Sequence, residues 1–153
     1  MRAALEEAEK ARSMGEIPIG AVIVKDGKII GRGHNLTETE KDPTVHAEMV
    51  AIRQAAEALG GWRLPGCSMY VTVEPCAMCA GALVWSRMEN LYIGAPDPKA
   101  GACGSVFNVA EEPALNHQIH VERGILEEEC RGAVQSFFRA LRDKKHNLEE
   151  EQL

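Results

Sequence analysis

Residues 68–95 constrain the fold of this chain most, because they read as a strand, a helix and a second strand in direct succession. The run 68–74 is rich in residues that favour strands, Pro75 opens a predicted helix over 76–87, and residues 90–95 return as a strand. Two strands joined by a helix in this way are typical of parallel pairing. The segment therefore predicts a parallel strand pair with a helix packed against it.

The other segments predict the elements that surround this unit. They comprise an N-terminal helix, a β-hairpin about the Asp26-Gly27 pair, a helix that starts at or just before His46, a short strand and a final helix, over residues 2–12, 19–34, 46–59, 117–121 and 126–145 respectively. Residues 96–116, rich in Gly, Pro and Asn, predict a long functional loop that could contain a short helix around 105–110. The sum is an α/β fold with a mixed sheet of about five strands and helices on both faces, a three-layer α/β/α arrangement.

The composition excludes several classes of protein. The chain has 153 residues, 45% of them apolar, which is enough to bury a core without disulfides, so we expect a single domain over residues 1–153. No apolar run approaches the roughly 18 to 20 residues that span a bilayer, and acidic residues follow the first few positions. We therefore expect a soluble cytoplasmic protein with no membrane partner. A net charge of −6 argues against nucleic acid as a partner, because phosphate binding needs a positive surface, although the net charge does not locate the charges.

Two cysteines at the start of the helix over 76–87 have the spacing of metal ligands. Cys76 and Cys79 are three residues apart, so on a helix they share a face and can both reach one ion about 2.3 Å from each sulfur. The partial positive charge of a helix N-terminus favours the thiolate that a metal needs. His46 adds a nitrogen, and this donor set suits tetrahedral zinc. Three protein ligands leave the fourth position for water, which is typical of a catalytic zinc site.

Glu48 is a candidate proton shuttle beside this metal site. On an ideal helix it would point away from His46, two residues earlier, but in the first turn a long carboxylate can lean toward the metal-bound water. Zinc lowers the pKa of water toward about 7, and a nearby carboxylate can pass the proton to a leaving amine. The predicted chemistry is hydrolytic replacement of an exocyclic amino group on a heteroaromatic ring.

Other readings of these residues stay open. A Cys-x-x-Cys pair alone fits a redox pair or half of a structural zinc knuckle, but a redox pair would leave the run His46-Ala47-Glu48 unexplained. A non-enzymatic zinc module could dispense with Glu48. Cys103 could in principle be a fourth ligand, but a fourth thiolate would displace the water that the reaction needs.

His-x-Glu followed by Pro-Cys-x-x-Cys resembles the signature of the zinc-dependent cytidine deaminase superfamily. Within it the chain is most similar to the bacterial tRNA-specific adenosine deaminases, over about residues 3–145. The resemblance is carried by the runs at 18–22, 42–48, 73–82, 115–117 and 137–139. It implies a cytidine deaminase-like fold and deamination of the wobble adenosine to inosine in a tRNA anticodon stem-loop.

The resemblance also implies roles for individual residues and an assembly. His46, Cys76 and Cys79 match the ligands of one zinc ion per subunit, Glu48 matches the acid/base, and the active form is a homodimer. The residues that match base or RNA contacts are Asn35, which hydrogen-bonds the flipped base, and Ala47, Asp97, Lys99, Asn116, His117, Phe137, Phe138 and Arg139.

The residues alone leave alternatives to these contacts. Asn35 and Asp97 could simply shape turns, His117 could be a structural histidine, and at least one of the adjacent residues Phe137 and Phe138 is expected in the core. The closest rival function is a deaminase of guanine, cytosine or a free nucleoside. Basic residues in the final helix favour RNA, but they equally fit a solvated helix end.

Overall fold

The computed structural model describes residues 1–152, which form five helices and five strands. In chain order these are α1 (Arg2–Ser13), β1 (Gly20–Lys25), β2 (Lys28–His34), α2 (Thr37–Glu40), α3 (Ala47–Leu59), β3 (Ser68–Val73), α4 (Ala77–Trp85), β4 (Asn90–Ala95), β5 (His120–Arg123) and α5 (Glu127–Glu151). No helix within the described residues is long and apolar enough to cross a membrane.

The sheet has the order β2-β1-β3-β4-β5 and is mixed. β1 is antiparallel to both β2 and β3, whereas β3, β4 and β5 are mutually parallel. Helices α1 and α5 cover one face, and α3 and α4 pack on the other. The predicted three-layer fold and the parallel pair of β3 and β4 are therefore confirmed.

The hairpin of β1 and β2 turns where the sequence predicts. Asp26 and Gly27 both have positive φ, 50° and 75°, as a type I′ turn requires. The pairing register shifts between Ile23 and Val24, which marks a bulge in the middle of the hairpin.

The apolar core lies between the sheet and the pair of helices α3 and α4. Small side chains on α3 face glycines of β2, and a Cβ atom at Gly33 would collide with the carbonyl oxygen of Ala47. Helix α3 therefore rests directly on the strand backbone. Since Ala47 is the first residue of this helix, the contact also places the residues around it.

Four features differ from the sequence predictions. A helix around residues 105–110 is wrong, because this stretch forms turns and an isolated bridge between Cys103 and Asn108. β5 starts at His120 because the amide of Ile119 donates to Ala110 in the loop, not to β4. α5 runs on to Glu151, where i,i+4 charge pairs such as Lys145 with Glu149 support it, and the short helix α2 was not predicted.

Candidate active site

Two helix N-termini meet at one end of the sheet. His46 is the N-cap residue of α3 and Cys76 is the N-cap residue of α4, and both have extended backbone. Because β1 runs antiparallel to both neighbours, the ends of β2 and β3 lie together beside its first residues. The chain leaving each of these strands leads into one of the two helices, so the predicted meeting of the two motifs is confirmed.

The side chains of His46, Cys76 and Cys79 converge on one point. Their ligand atoms all lie within 4.8 Å of one another, and His46 Nδ1 is 3.6 Å from each of the two sulfurs. Ordinary zinc–nitrogen and zinc–sulfur bonds at a tetrahedral angle give a nitrogen–sulfur separation of about 3.6 Å. The donor set and its spacing therefore fit zinc with one coordination position left over.

The electrostatics of the site favour a thiolate before any metal binds. Hydrogen bonds from Cys79 and His46 lower the pKa of Cys76 to about 3, and the same sharing of a proton raises the pKa of Cys79. The interaction with Cys76 also raises the pKa of His46. Metal binding displaces the shared proton, because a zinc ligand must be deprotonated.

Glu48 lies in the first turn of α3 and lines the same pocket as His46 and Cys76. Its side chain is buried, and this burial is the main cause that raises its pKa above the ordinary value. A raised pKa makes a carboxylate a better proton acceptor. Its position and protonation chemistry suit the predicted proton shuttle.

The pocket above these groups has a volume of about 180 Å³. That is smaller than typical sites for drug-sized ligands and suits a single heteroaromatic base. It is lined by His46, Cys76 and Glu48, and the remaining lining residues are Ile17, Ile19, Asn35, Thr37, Ala47, Val73, Glu74, Asp97 and Ala100.

Asn35 is held in one orientation by a residue that sequence reasoning missed. Glu16 is buried and accepts hydrogen bonds from Asn35 Nδ2 at 3.2 Å and from the Thr39 amide at 2.6 Å. Because a carboxylate only accepts, the amide of Asn35 must turn its nitrogen toward Glu16 and leave its oxygen for another partner. The only signal in the sequence was an acid directly before the apolar run 17–19.

Asp97 and Lys99 lie where the loop after β4 borders the pocket. The Asp97 carboxylate accepts hydrogen bonds from the Lys99 and Ala100 amides, so it also shapes its own turn. Lys99 is exposed and lines a cavity of about 560 Å³ together with residues of α5 that include Phe138, Arg139 and Arg142. A further cavity of about 470 Å³ is lined by Asp97 of the pocket and also by Lys99 and Phe138, so the two regions are close together. Phe137 is half-buried and makes an edge contact with Phe138, with ring centroids 5.4 Å apart.

Asn116 and His117 lie apart from this pocket. His117 Nε2 is 2.6 Å from the Met88 carbonyl, near the start of β4, whereas the pocket is at the opposite end of the parallel strands. Asn116 is exposed. Their predicted RNA contacts stay predictions.

Cys103 is not part of the metal cluster found among residues 1–152. It is packed in the core, where burial raises the pKa of its thiol to about 12. The absence of Cys103 from this cluster agrees with a site of three protein ligands.

Known proteins share this sequence and fold. A tRNA-specific adenosine deaminase of Bacillus subtilis is 54% identical over 145 residues, which cover 95% of this chain and 90% of that protein. A structure from work on A-to-I editing by tRNA:A34 deaminases at the wobble position of transfer RNA matches with a TM-score of 0.83 and 47% identity, over 87% of this chain and 96% of the other. A guanine deaminase structure from Bacillus subtilis matches with a TM-score of 0.61 and 36% identity, over 93% and 90% of the two chains.

Residues 1–95 also match the family model described as the cytidine and deoxycytidylate deaminase zinc-binding region. This stretch contains the whole convergent cluster of His46, Cys76 and Cys79 with Glu48 beside it. Because the match covers well over half of the chain and the metal-binding geometry agrees with it, the chain belongs to the zinc-binding cytidine and deoxycytidylate deaminase family.

Proposed function

We propose that this protein deaminates the wobble adenosine in a tRNA anticodon to inosine. The observation that carries the proposal is a base-sized pocket lined by Glu48, His46 and Cys76, the last two of which form the metal-binding cluster with Cys79. The identity of 54% to a tRNA-specific adenosine deaminase supports the choice of substrate.

The residues of the pocket have separate roles in the proposed reaction. His46, Cys76 and Cys79 would hold the zinc ion, which when bound would lower the pKa of water toward about 7 and so make a nucleophile available at neutral pH. The Glu48 carboxylate accepts a proton from the attacking water and delivers it to the departing amino group, so that adenosine and water become inosine and ammonia. Asn35 hydrogen-bonds the base, and its orientation is set by Glu16.

A pocket that takes one base requires the adenosine to leave its stack and enter alone. The surface beside the pocket suits the rest of an RNA loop, because Lys99, Arg139 and Arg142 supply positive charge and Phe138 supplies a stacking surface. These side chains support an RNA substrate over a free base, which would need none of them.

The test is to incubate the protein with an anticodon stem-loop carrying adenosine at the wobble position, and separately with free adenosine, cytidine and guanine. We expect inosine in the stem-loop RNA and little product from the free compounds. A stem-loop with guanosine at the wobble position is the matched control and should stay unchanged. Turnover of free guanine or cytidine without editing of the RNA would contradict the proposal and support the small-molecule reading.

We also propose that the active form is a homodimer. Large apolar side chains stay exposed on this subunit, with Trp85 at the end of α4 69% exposed and Phe107 in the loop between β4 and β5 58% exposed. Such side chains are typical of a surface that a partner covers. Sedimentation should give twice the 16.7 kDa of one chain, and Trp85→Glu should shift the protein toward the monomer.

We further propose that the chain forms a single domain and that the protein is located in the cytoplasm. One sheet carries the packed helices, so we infer that the chain acts as one deaminase domain. All five cysteines are free thiols, which suits a reducing compartment where tRNA is also found.

A further inference from the structure

Glu74 is a buried carboxylate without a positive partner. It follows β3, directly before the Pro75-Cys76 pair, and is only 5% exposed. None of the ion pairs formed within residues 1–152 includes it. A buried charge in this situation is tolerated only when hydrogen bonds replace the lost water.

Four hydrogen bonds to the Glu74 carboxylate replace the lost water, and all four donors belong to the loop over residues 97–105. Oε1 accepts from the Asp97 amide at 3.3 Å and from the Ser105 hydroxyl. Oε2 accepts from the Cys103 amide at 3.0 Å and from the Ser105 amide at 3.1 Å. Two donors on each oxygen fill the accepting capacity of a carboxylate, so Glu74 has no lone pair free for a substrate.

The loop is folded around this carboxylate. A Cβ atom at Gly101 would collide with the Glu74 carboxyl group, so the loop backbone is in close contact with the charge. The Ala102 amide donates to the Pro75 carbonyl at 2.9 Å, which adds one contact on the same side. The loop contains no helix or strand of its own, and its shape therefore depends on groups outside it.

The same loop forms one wall of the pocket. Asp97 and Ala100 line the pocket together with Ile17, Ile19 and Asn35, and Lys99 lines the cavity beside α5. A shift of the loop would change both the opening for the base and the charge that faces the RNA.

We infer that Glu74 is a positioning residue for the proposed deamination: its carboxylate holds the loop over 97–105 so that Asp97 and Ala100 form the wall that receives the base. The inference rests on the proposed function. Glu74 acts through the loop, because its own acceptor sites are all occupied.

The test is Glu74→Gln in the zinc-loaded full chain. The neutral amide of nearly the same shape must point its NH₂ group at one pair of donors, so at least one backbone N–H loses its acceptor, and the remaining hydrogen bonds lose the charge that strengthens them. We expect KM for the anticodon stem-loop to rise roughly tenfold, the size expected for a lost hydrogen bond to a charged group, with kcat changed less than about threefold. Zinc content should stay the same, and hydrogen exchange should accelerate at the Cys103 and Ser105 amides but not in α1 or α3.

Two further variants are compared with Glu74→Gln. Glu89→Gln makes the same chemical change at an exposed carboxylate beside the start of β4 and should alter none of these readouts. Ser105→Ala removes only the hydroxyl donor and should raise KM by a smaller factor, with faster exchange at the Cys103 amide. If Glu74→Gln does not fold, KM and hydrogen exchange of Ser105→Ala test by themselves whether Glu74 holds the loop.

Unchanged KM and unchanged exchange at Cys103 and Ser105 would overturn the inference. So would a uniform rise in exchange across the chain, which indicates general destabilisation, or a joint loss of kcat and zinc, which indicates a role in the metal site. If the wild-type protein does not edit the stem-loop, the proposed function fails, whereas the exchange measurement still decides whether Glu74 holds the loop.

Discussion

His46 and Glu48 are two residues apart and yet serve the same pocket. In a continuous helix their side chains would point about 200° apart around the axis. His46, however, precedes α3 in extended backbone, with φ −82° and ψ 158°, and only Glu48 lies within the helix. The change of backbone conformation between them lets both side chains line the same pocket.

Glu48→Ala tests the proton shuttle. Because this side chain is not a metal ligand, we expect turnover to fall by at least the roughly 10²- to 10⁴-fold typical of general acid–base catalysis, while zinc stays bound at one ion per subunit. Activity on the stem-loop and metal analysis of the same preparation measure the two effects. Retained turnover, or loss of zinc together with activity, would refute the assigned role.

Glu7 lies on α1, on the face of the sheet opposite α3 and α4. Its contribution to the free energy of unfolding can be tested by varying the pH. Burial raises the pKa of this carboxyl, but hydrogen bonds from Lys10 and His34, both at 3.0 Å, outweigh it and hold the pKa below the ordinary value. A lowered pKa means that the stabilisation is present above the unfolded value near 4.5 and is lost as pH falls through the folded value.

Glu7→Gln should therefore cost about 1–2 kcal/mol of unfolding free energy at about pH 6 and much less at about pH 3. Denaturant unfolding of wild type and variant at both pH values measures the difference. A difference that is the same at both values would show that the charge of Glu7 does not contribute.

Helix α3 and strand β2 show how one element positions another. The glycines of β2 let the backbone of α3 approach closely, and Gly33 lies against Ala47, the residue between His46 and Glu48. The position of the catalytic side chains therefore depends on the absence of a side chain on the neighbouring strand.

Gly33→Ala should lower the free energy of unfolding by about 1–3 kcal/mol, the usual cost of overpacking, and should reduce activity because the start of α3 is displaced. Gly81→Ala in α4 is the control, since a Cβ atom there meets nothing within 4 Å. That variant should be unchanged or more stable by up to about 1 kcal/mol. Urea denaturation compares the two, and equal stability of Gly33→Ala and wild type would contradict the close-packing argument.

The charge of the entire chain is −6, yet the surface beside the pocket is locally positive. Lys99, Arg139 and Arg142 line the cavity there, whereas Arg131 on the same helix is paired with Glu127 and Glu128. RNA binding should then depend on a few phosphate contacts together with capture of the base.

The binding of the stem-loop to the Glu48→Ala variant should weaken with salt only moderately. Three phosphate contacts predict a slope of log affinity against log salt of about −2 to −3, and Arg142→Gln should reduce its magnitude by about one. Titrations at several salt concentrations measure this. A slope near −10 would mean that many more phosphates are contacted than this surface can reach.

Local patterns predict most of the fold and the chemical groups of the site. Hydrophobic periodicity and turn residues locate the main helices and strands, and the spacing of His46, Glu48, Cys76 and Cys79 indicates the zinc chemistry. These signals are readable because each depends on residues that are close together in the chain.

Contacts between distant segments carry no such local signal. Glu16 orients Asn35, Glu74 binds a loop about 30 residues further on, and His117 lies at the far end of β4, none of which any periodicity indicates. A buried carboxylate is stable only where hydrogen-bond donors from other segments surround it. The amino-acid sequence thus specifies the elements and the reactive groups, whereas long-range packing specifies the shape of the pocket around them.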